Sequence, residues 1–126
     1  KAYFDDEIRA LGTKKYVCST DNMATYPFRL YNLLRQIKPD VVHSHVHSFS
    51  GLILMIAAMA GVKIRISHSH SDTRFIESTS KNIVRESYLK LMRSLIKTYS
   101  TSNIAVSEKA AISLYGEDWQ QIVRAR

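Results

Sequence analysis

Apolar positions along the chain change their period several times, and each change marks an element. Over residues 4–11, Ile8 and Leu11 fall on one helical face, with Asp5, Asp6 and Glu7 in the first turn and Gly12 at the exit. Acidic groups suit the positive end of a helix dipole, and glycine suits its end. Residues 15–19 read as a short strand through Tyr16, Val17 and Cys18, and residues 20–26 as a loop. Phe28, Leu30, Leu33, Leu34 and Ile37 recur close to helical spacing over 26–37. Pro39 ends that helix, because the residue before a proline avoids helical geometry. Residues 41–44 predict a second strand, apolar on both faces as a central parallel strand would be.

Residues 49–60 are apolar nearly all round, the pattern of a buried helix. Ala57, Ala58 and Ala60 permit close approach to a sheet, and Gly61 ends the helix before a third strand at 62–67. Strand, helix and strand make a right-handed βαβ unit. Residues 69–81 are polar and irregular, expected to be mobile without a ligand. Over 82–99, Val84, Tyr88, Leu91, Met92, Leu95, Ile96 and Tyr99 form the apolar stripe of a long amphipathic helix. A fourth strand at 103–107 leads to a short helix at 108–114, closed by Gly116, and 117–126 adds a helical turn or frays. This alternation predicts one α/β domain with a mainly parallel sheet flanked by helices.

Charge and cysteine count narrow the setting. The formal net charge of +7 suits an anionic partner or simple solubility. The basic residues are dispersed without interleaved aromatics, which argues against nucleic acid. The single cysteine, Cys18, allows no intrachain disulfide, fits a reducing compartment and excludes a Cys-rich zinc site. No signal peptide is visible, and the longest apolar run, 51–62, is too short to span a bilayer. The chain begins Lys-Ala-Tyr, so it is expected to be processed or cut from something longer.

The candidate chemistry is concentrated. All five histidines lie in two runs, Asp40-Val-Val-His-Ser-His-Val-His47 and Arg65-Ile-Ser-His-Ser-His-Ser-Asp72. Side chains alternate across a strand, so His43, His45 and His47 share one face if the extension persists, as do His68 and His70. Ligands of open α/β sheets bind beyond the carboxyl ends of parallel strands. Any one imidazole could equally bond loop backbone; the pairing of two runs points to the lips of one cleft. A rival reading is a metal-dependent hydrolase, since His-x-His at a strand end suits zinc. Carboxylate ligands are sparse there, Asp72 being the nearest.

These motifs carry a resemblance. The run at 40–45, Ser50-Gly51 opening an apolar helix, and Ala60-Gly-Val-Lys-Ile-Arg-Ile-Ser-His-Ser-His70 resemble the N-terminal domain of a family-four glycosyltransferase, in its exopolysaccharide and capsule-biosynthesis branch. The stretches 5–12 and 104–110, with Leu114-Tyr-Gly116, are similar to further parts of that domain, so the likeness covers essentially the whole chain. It implies a GT-B enzyme of two Rossmann-like domains. That enzyme would be cytoplasmic or peripheral to the inner membrane face. It would transfer a sugar, with retention, from a nucleotide-sugar donor to a polysaccharide or lipid-linked acceptor. No metal and no other cofactor is implied.

By the same likeness, residues 1–126 are an incomplete acceptor-side domain without the Gly-rich first strands, and the nucleotide-sugar domain is absent. The fragment alone is expected to be inactive. The lost strands would leave Val41 on an exposed edge, with either self-association through it or a displaced first strand from the Tyr16 segment. His68 takes the family's position beside the transferred sugar. His43, His45, His70 and Asp72 are expected to bind substrate, with Ser44, Ser48, Ser50, Gly51 and Glu108 supporting. Ser50 could equally be a plain helix cap, Glu108 a first-turn acid, and Arg65 a phosphate partner or a snorkelling strand residue. The basic helix 81–97 could rest on an anionic membrane or simply be a solvated face.

Overall fold

Among the described residues three short parallel strands, β1 (Val41–Ser44), β2 (Ile64–Ser69) and β3 (Ser102–Ala105), form one sheet in that order. The computed structural model describes residues 3–72 and 82–124, with the backbone alone at residue 124. Helices α1 (Asp5–Ala10) and α2 (Tyr26–Ile37) precede β1. A 3-10 turn (His47–Phe49) and α3 (Ser50–Met59) join β1 to β2. The helix α4 (Ile83–Tyr99) leads to β3, and α5 (Glu108–Tyr115) and α6 (Trp119–Arg124) follow it. The expected α/β class, a parallel sheet with flanking helices in a partial Rossmann-like arrangement, is the observed one.

Register decides which residues share a face. Val42 pairs with Arg65, His43 with Ile66 and Ser44 with Ser67; Ser67 pairs with Asn103, His68 with Ile104 and Ser69 with Ala105. Side chains opposite one another point the same way, and neighbours along a strand point oppositely. One face therefore carries Val42, Ser44, Ser67 and Ser69, and the other Val41, His43, Ile64, Ile66, His68 and Ile104. The first face is covered: Ser44, Ser67 and Ser69 are 5%, 0% and 0% exposed. The second is open: Val41, Ile64 and Ile104 are 44%, 46% and 39% exposed.

Two apolar clusters hold the covered side. Tyr26, Leu30 and Leu34 of α2 pack with Ile56, Ala57, Ala60 and Val62, with Val42 and Cys18 against them. Ile96, Ala111, Leu114 and Tyr115 pack with Ala105, Trp119, Ile122 and Val123. Helix α3 belongs to the first cluster, and it touches α4 so closely that a Cβ on Gly51 would stand 2.5 Å from the Met92 carbonyl oxygen. Only the missing side chain permits that approach.

Several expectations need correction. The segment 15–19 is not a strand. Val17 is 81% exposed, and the Arg29 guanidinium donates to the Ser19 carbonyl (2.8 Å) while Cys18 packs on the α2 cluster. The segment is thus tied to α2 and not to the sheet, so no displaced first strand pairs with β1. Strand β1 lies at the edge of the described sheet, as the loss of the first strands implied, but one of its faces is open, unlike the strand apolar on both faces that its composition suggested. The third strand runs to Ser69, which takes His68 into the sheet, and the fourth starts at Ser102. Of the expected α4 stripe only Met92 and Ile96 are buried, and Val84, Tyr88 and Leu91 are exposed. Residues 73–81 of the expected mobile loop lie outside the described residues.

Candidate functional site

The two His-Ser runs meet. His43 and His68 stand side by side on the open face, His43 Nε2 3.2 Å from His68 Nδ1, with rings 5° from parallel. His45 Nδ1 lies 2.6 Å from His70 Nε2. Both pairs are separated by the same 25 residues of chain, two more than in the register that pairs His43 with Ile66, so each is a diagonal contact between the two runs. Along each run the rings also touch: His43 and His45 centroids are 4.1 Å apart, and His68 and His70 centroids 4.0 Å. Four imidazoles thus form a contiguous patch at the carboxyl ends of adjacent parallel strands.

The patch is electrically frustrated. His45 and His68 are held below the usual imidazole value. Lost hydration among the packed rings comes first, and repulsion from neighbouring imidazoles second: His43 and His70 act on His45, and His70, His45 and His43 on His68. Both effects disfavour the charged form. Neutral rings each keep one donor and one acceptor nitrogen, which suits hydrogen bonding to hydroxyl groups. His43, His45 and His68 can also each offer a ring nitrogen to one metal ion, all within 4.8 Å of one another.

The fifth histidine does not join them. The extension stops at Ser44, and His47 has φ 49°, which aims the chain into the 3-10 turn; its Nε2 lies 3.3 Å from Ser113 Oγ on α5. The serines also part from the histidines. Ser44 Oγ donates to Ser50 Oγ (2.8 Å) in the buried layer under the sheet. Ser50 therefore ties α3 to β1, and no side chain caps α3. Gly51 serves the contact with α4. These three sit on the covered side and are not brought to the imidazoles, because the two-residue alternation puts hydroxyls and rings on opposite faces.

Asp72 is exposed two residues beyond His70, and Glu108 is the exposed first residue of α5, where Ser107 Oγ caps by accepting from the Ala110 amide (3.2 Å). Arg65 is committed to structure: its guanidinium donates to the carbonyls of Tyr99 (2.6 Å) and Val62.

Beneath β2 and β3 lies a polar layer that sequence reasoning missed. Ser69 Oγ donates to the Ala110 carbonyl (2.7 Å), and Ser67 Oγ to Asn103 Oδ1 (2.5 Å). The Tyr115 hydroxyl reaches the carbonyls of Ser67 (3.0 Å) and Ile104 (2.8 Å). Burial pushes the Tyr115 phenol above its usual value, against the weaker opposing pull of the Ser67 hydroxyl, 2.9 Å away, and of the Ile104 carbonyl. The signal was present in the sequence: serines interleaved with histidines must face the other way once the run is extended.

Comparisons with known proteins bear on this geometry. Residues 9–116 match the model of Glycosyltransferase Family 4. The chain is similar to CapH of Staphylococcus aureus, a capsular polysaccharide biosynthesis glycosyltransferase, with 31% identity over 106 residues, which is 84% of this chain and 29% of that protein. It is also similar to EpsF of Bacillus subtilis (strain 168), named as a glycosyltransferase, with 29% identity over 118 residues, 90% of this chain and 30% of that one. The chain thus spans under a third of the length of these curated relatives. No solved structure gives a significant match. With a family match over most of its length and the imidazole patch where an open α/β sheet places its ligands, the chain belongs to glycosyltransferase family 4.

Proposed function

We propose that this chain forms the acceptor side of an enzyme that moves a sugar from a nucleotide-sugar to a polysaccharide or lipid-linked acceptor in capsule or exopolysaccharide synthesis. The observation that carries the reading is the four-imidazole patch at the carboxyl rim of β1 and β2 in a family-four chain. A polyhydroxylated acceptor needs many small donors and acceptors, and the ring nitrogens of the patch that are not engaged with a neighbouring ring supply them. His68, inside β2 and half-buried, positions or stabilises the reacting groups. His43, His45 and His70 bind acceptor hydroxyls, and Asp72 lies close enough in sequence to join them. A lipid-linked acceptor would bring the protein to an anionic membrane face; among the described residues no helix is long and apolar enough to cross a membrane.

The test follows imidazole ring resonances by NMR while a lipid-pyrophosphate-linked sugar is added to the chain in the presence of a chelator. Shifts at His43, His45, His68 and His70, with His47 unmoved, are expected. A response confined to the hollow lined by Asp5, Arg9, Lys14 and Lys15 would overturn the assignment of the patch to the acceptor.

A further inference from the structure

We infer that the open-face imidazole patch is a site for one late first-row divalent cation, Zn2+ or Cu2+ before Mg2+, with His43, His45 and His68 as ligands and His70 supporting His45. Three independent features converge. The donor set is all nitrogen, with three ring nitrogens within 4.8 Å of one another. Imidazole without carboxylate selects zinc, copper or nickel over hard oxygen-seeking cations. One ligand pair stands at the separation an ion needs: His43 Nε2 and His68 Nδ1 are hydrogen-bonded at 3.2 Å, and a cation would replace the shared proton. Two ligands of tetrahedral zinc, each about 2.0–2.1 Å from the metal, stand about 3.3 Å apart.

The third feature is support from a neighbouring ring. His45 Nδ1 lies 2.6 Å from His70 Nε2, too close for both atoms to ligate one ion, and this is a hydrogen bond between rings. A proton held on His45 Nδ1 leaves His45 Nε2 free to ligate, and a partner on the other nitrogen is what orients metal-binding histidines. His43 and His45 are exposed and His68 half-buried, so small ring rotations can close the triad on an ion while water fills the fourth position.

This inference does not depend on the sugar-transfer reading, and its experiment contains no sugar. The chelator-treated chain is titrated with Zn2+ by calorimetry, and Co2+ is used as a visible-absorbing probe. Binding of one Zn2+ per chain in the micromolar range or tighter is expected, with a Co2+ spectrum typical of low coordination number. His68→Gln and His43→Gln should abolish both signals. His70→Gln should weaken Zn2+ by about tenfold or more, as loss of a supporting partner does. His47→Gln and Cys18→Ser should leave affinity unchanged, and circular dichroism of each variant reports folding. Saturable binding that survives the His43→Gln/His68→Gln double variant, or no binding by the folded wild-type chain, would overturn the site.

Discussion

The two faces of the sheet are made from alternate residues of the same three described strands and have opposite physics. On the covered face, Ser44, Ser67 and Ser69 are sealed under α3 and α5, each hydroxyl bonded to a partner. On the open face, imidazoles and isoleucines are exposed or half-buried. Small hydroxyls let helices approach, and buried polar groups are tolerated because they are satisfied. Large rings gather where no helix covers them, and there they remain accessible to a ligand. The His-Ser alternation is thus a division of labour, with stability assigned to one side and chemistry to the other.

That contrast yields graded expectations. The strongest effect is expected on the covered side at Gly51→Ala, whose Cβ would press on the Met92 carbonyl. A loss of about 3 kcal/mol in urea unfolding is expected, and an unchanged midpoint would mean that α3 and α4 are looser than described. Tyr115→Phe comes next, because its hydroxyl serves two strand carbonyls. It should lower stability by about 2 kcal/mol and leave the Zn2+ affinity of the patch intact.

Ser44→Ala should cost about 1 kcal/mol. In a double-mutant cycle with Ser50→Ala the two losses should sum to more than the double variant shows.

Acid should act through the open face. His45 and His68 are depressed below the usual 6.5 when folded, so the unfolded chain binds more protons as the pH drops. Stability is whole above 6.5, where both states are neutral, and falls as the pH passes below 6.5 and through the folded values. Thermal midpoints measured from about pH 7.5 to about pH 5 should decline, and His45→Asn/His68→Asn should flatten the slope. The smallest effect is expected at Ile104→Thr on the open face, within about 0.5 kcal/mol; a larger loss would show that something covers that face.

Much of this was legible in the sequence. The period-3.6 stripe of Leu30 and Leu34, the stop at Pro39, and the apolar run before Gly61 place α2, β1 and α3 because local signals and tertiary packing agree there. The meeting of the two imidazole runs followed from alternation and from the rule about carboxyl ends. Three things were not legible. Tyr16-Val17-Cys18 has strand composition, but a strand needs a neighbour to pair with, and Arg29 holds the segment elsewhere. Whether β1 lay at the centre or the edge depends on strand order, which no local pattern encodes; the exposed edge came only from the family likeness, through its missing first strands. The commitment of Ser44, Ser50 and Gly51 to packing came from α3 and α4, distant in sequence, occupying the space beneath them.

The alternation also guards against mispairing. A slip of one residue between β1 and β2 would turn a strand over. His68 and His70 would then be pushed beneath α5, where Tyr115 and Ala110 leave room only for serine, and the hydroxyls would be spent on water. A wrong alignment would thus lose its bonded layer and bury unmatched rings in one stroke, so the rhythm that builds the candidate rim also makes the correct docking of these two strands the only comfortable one.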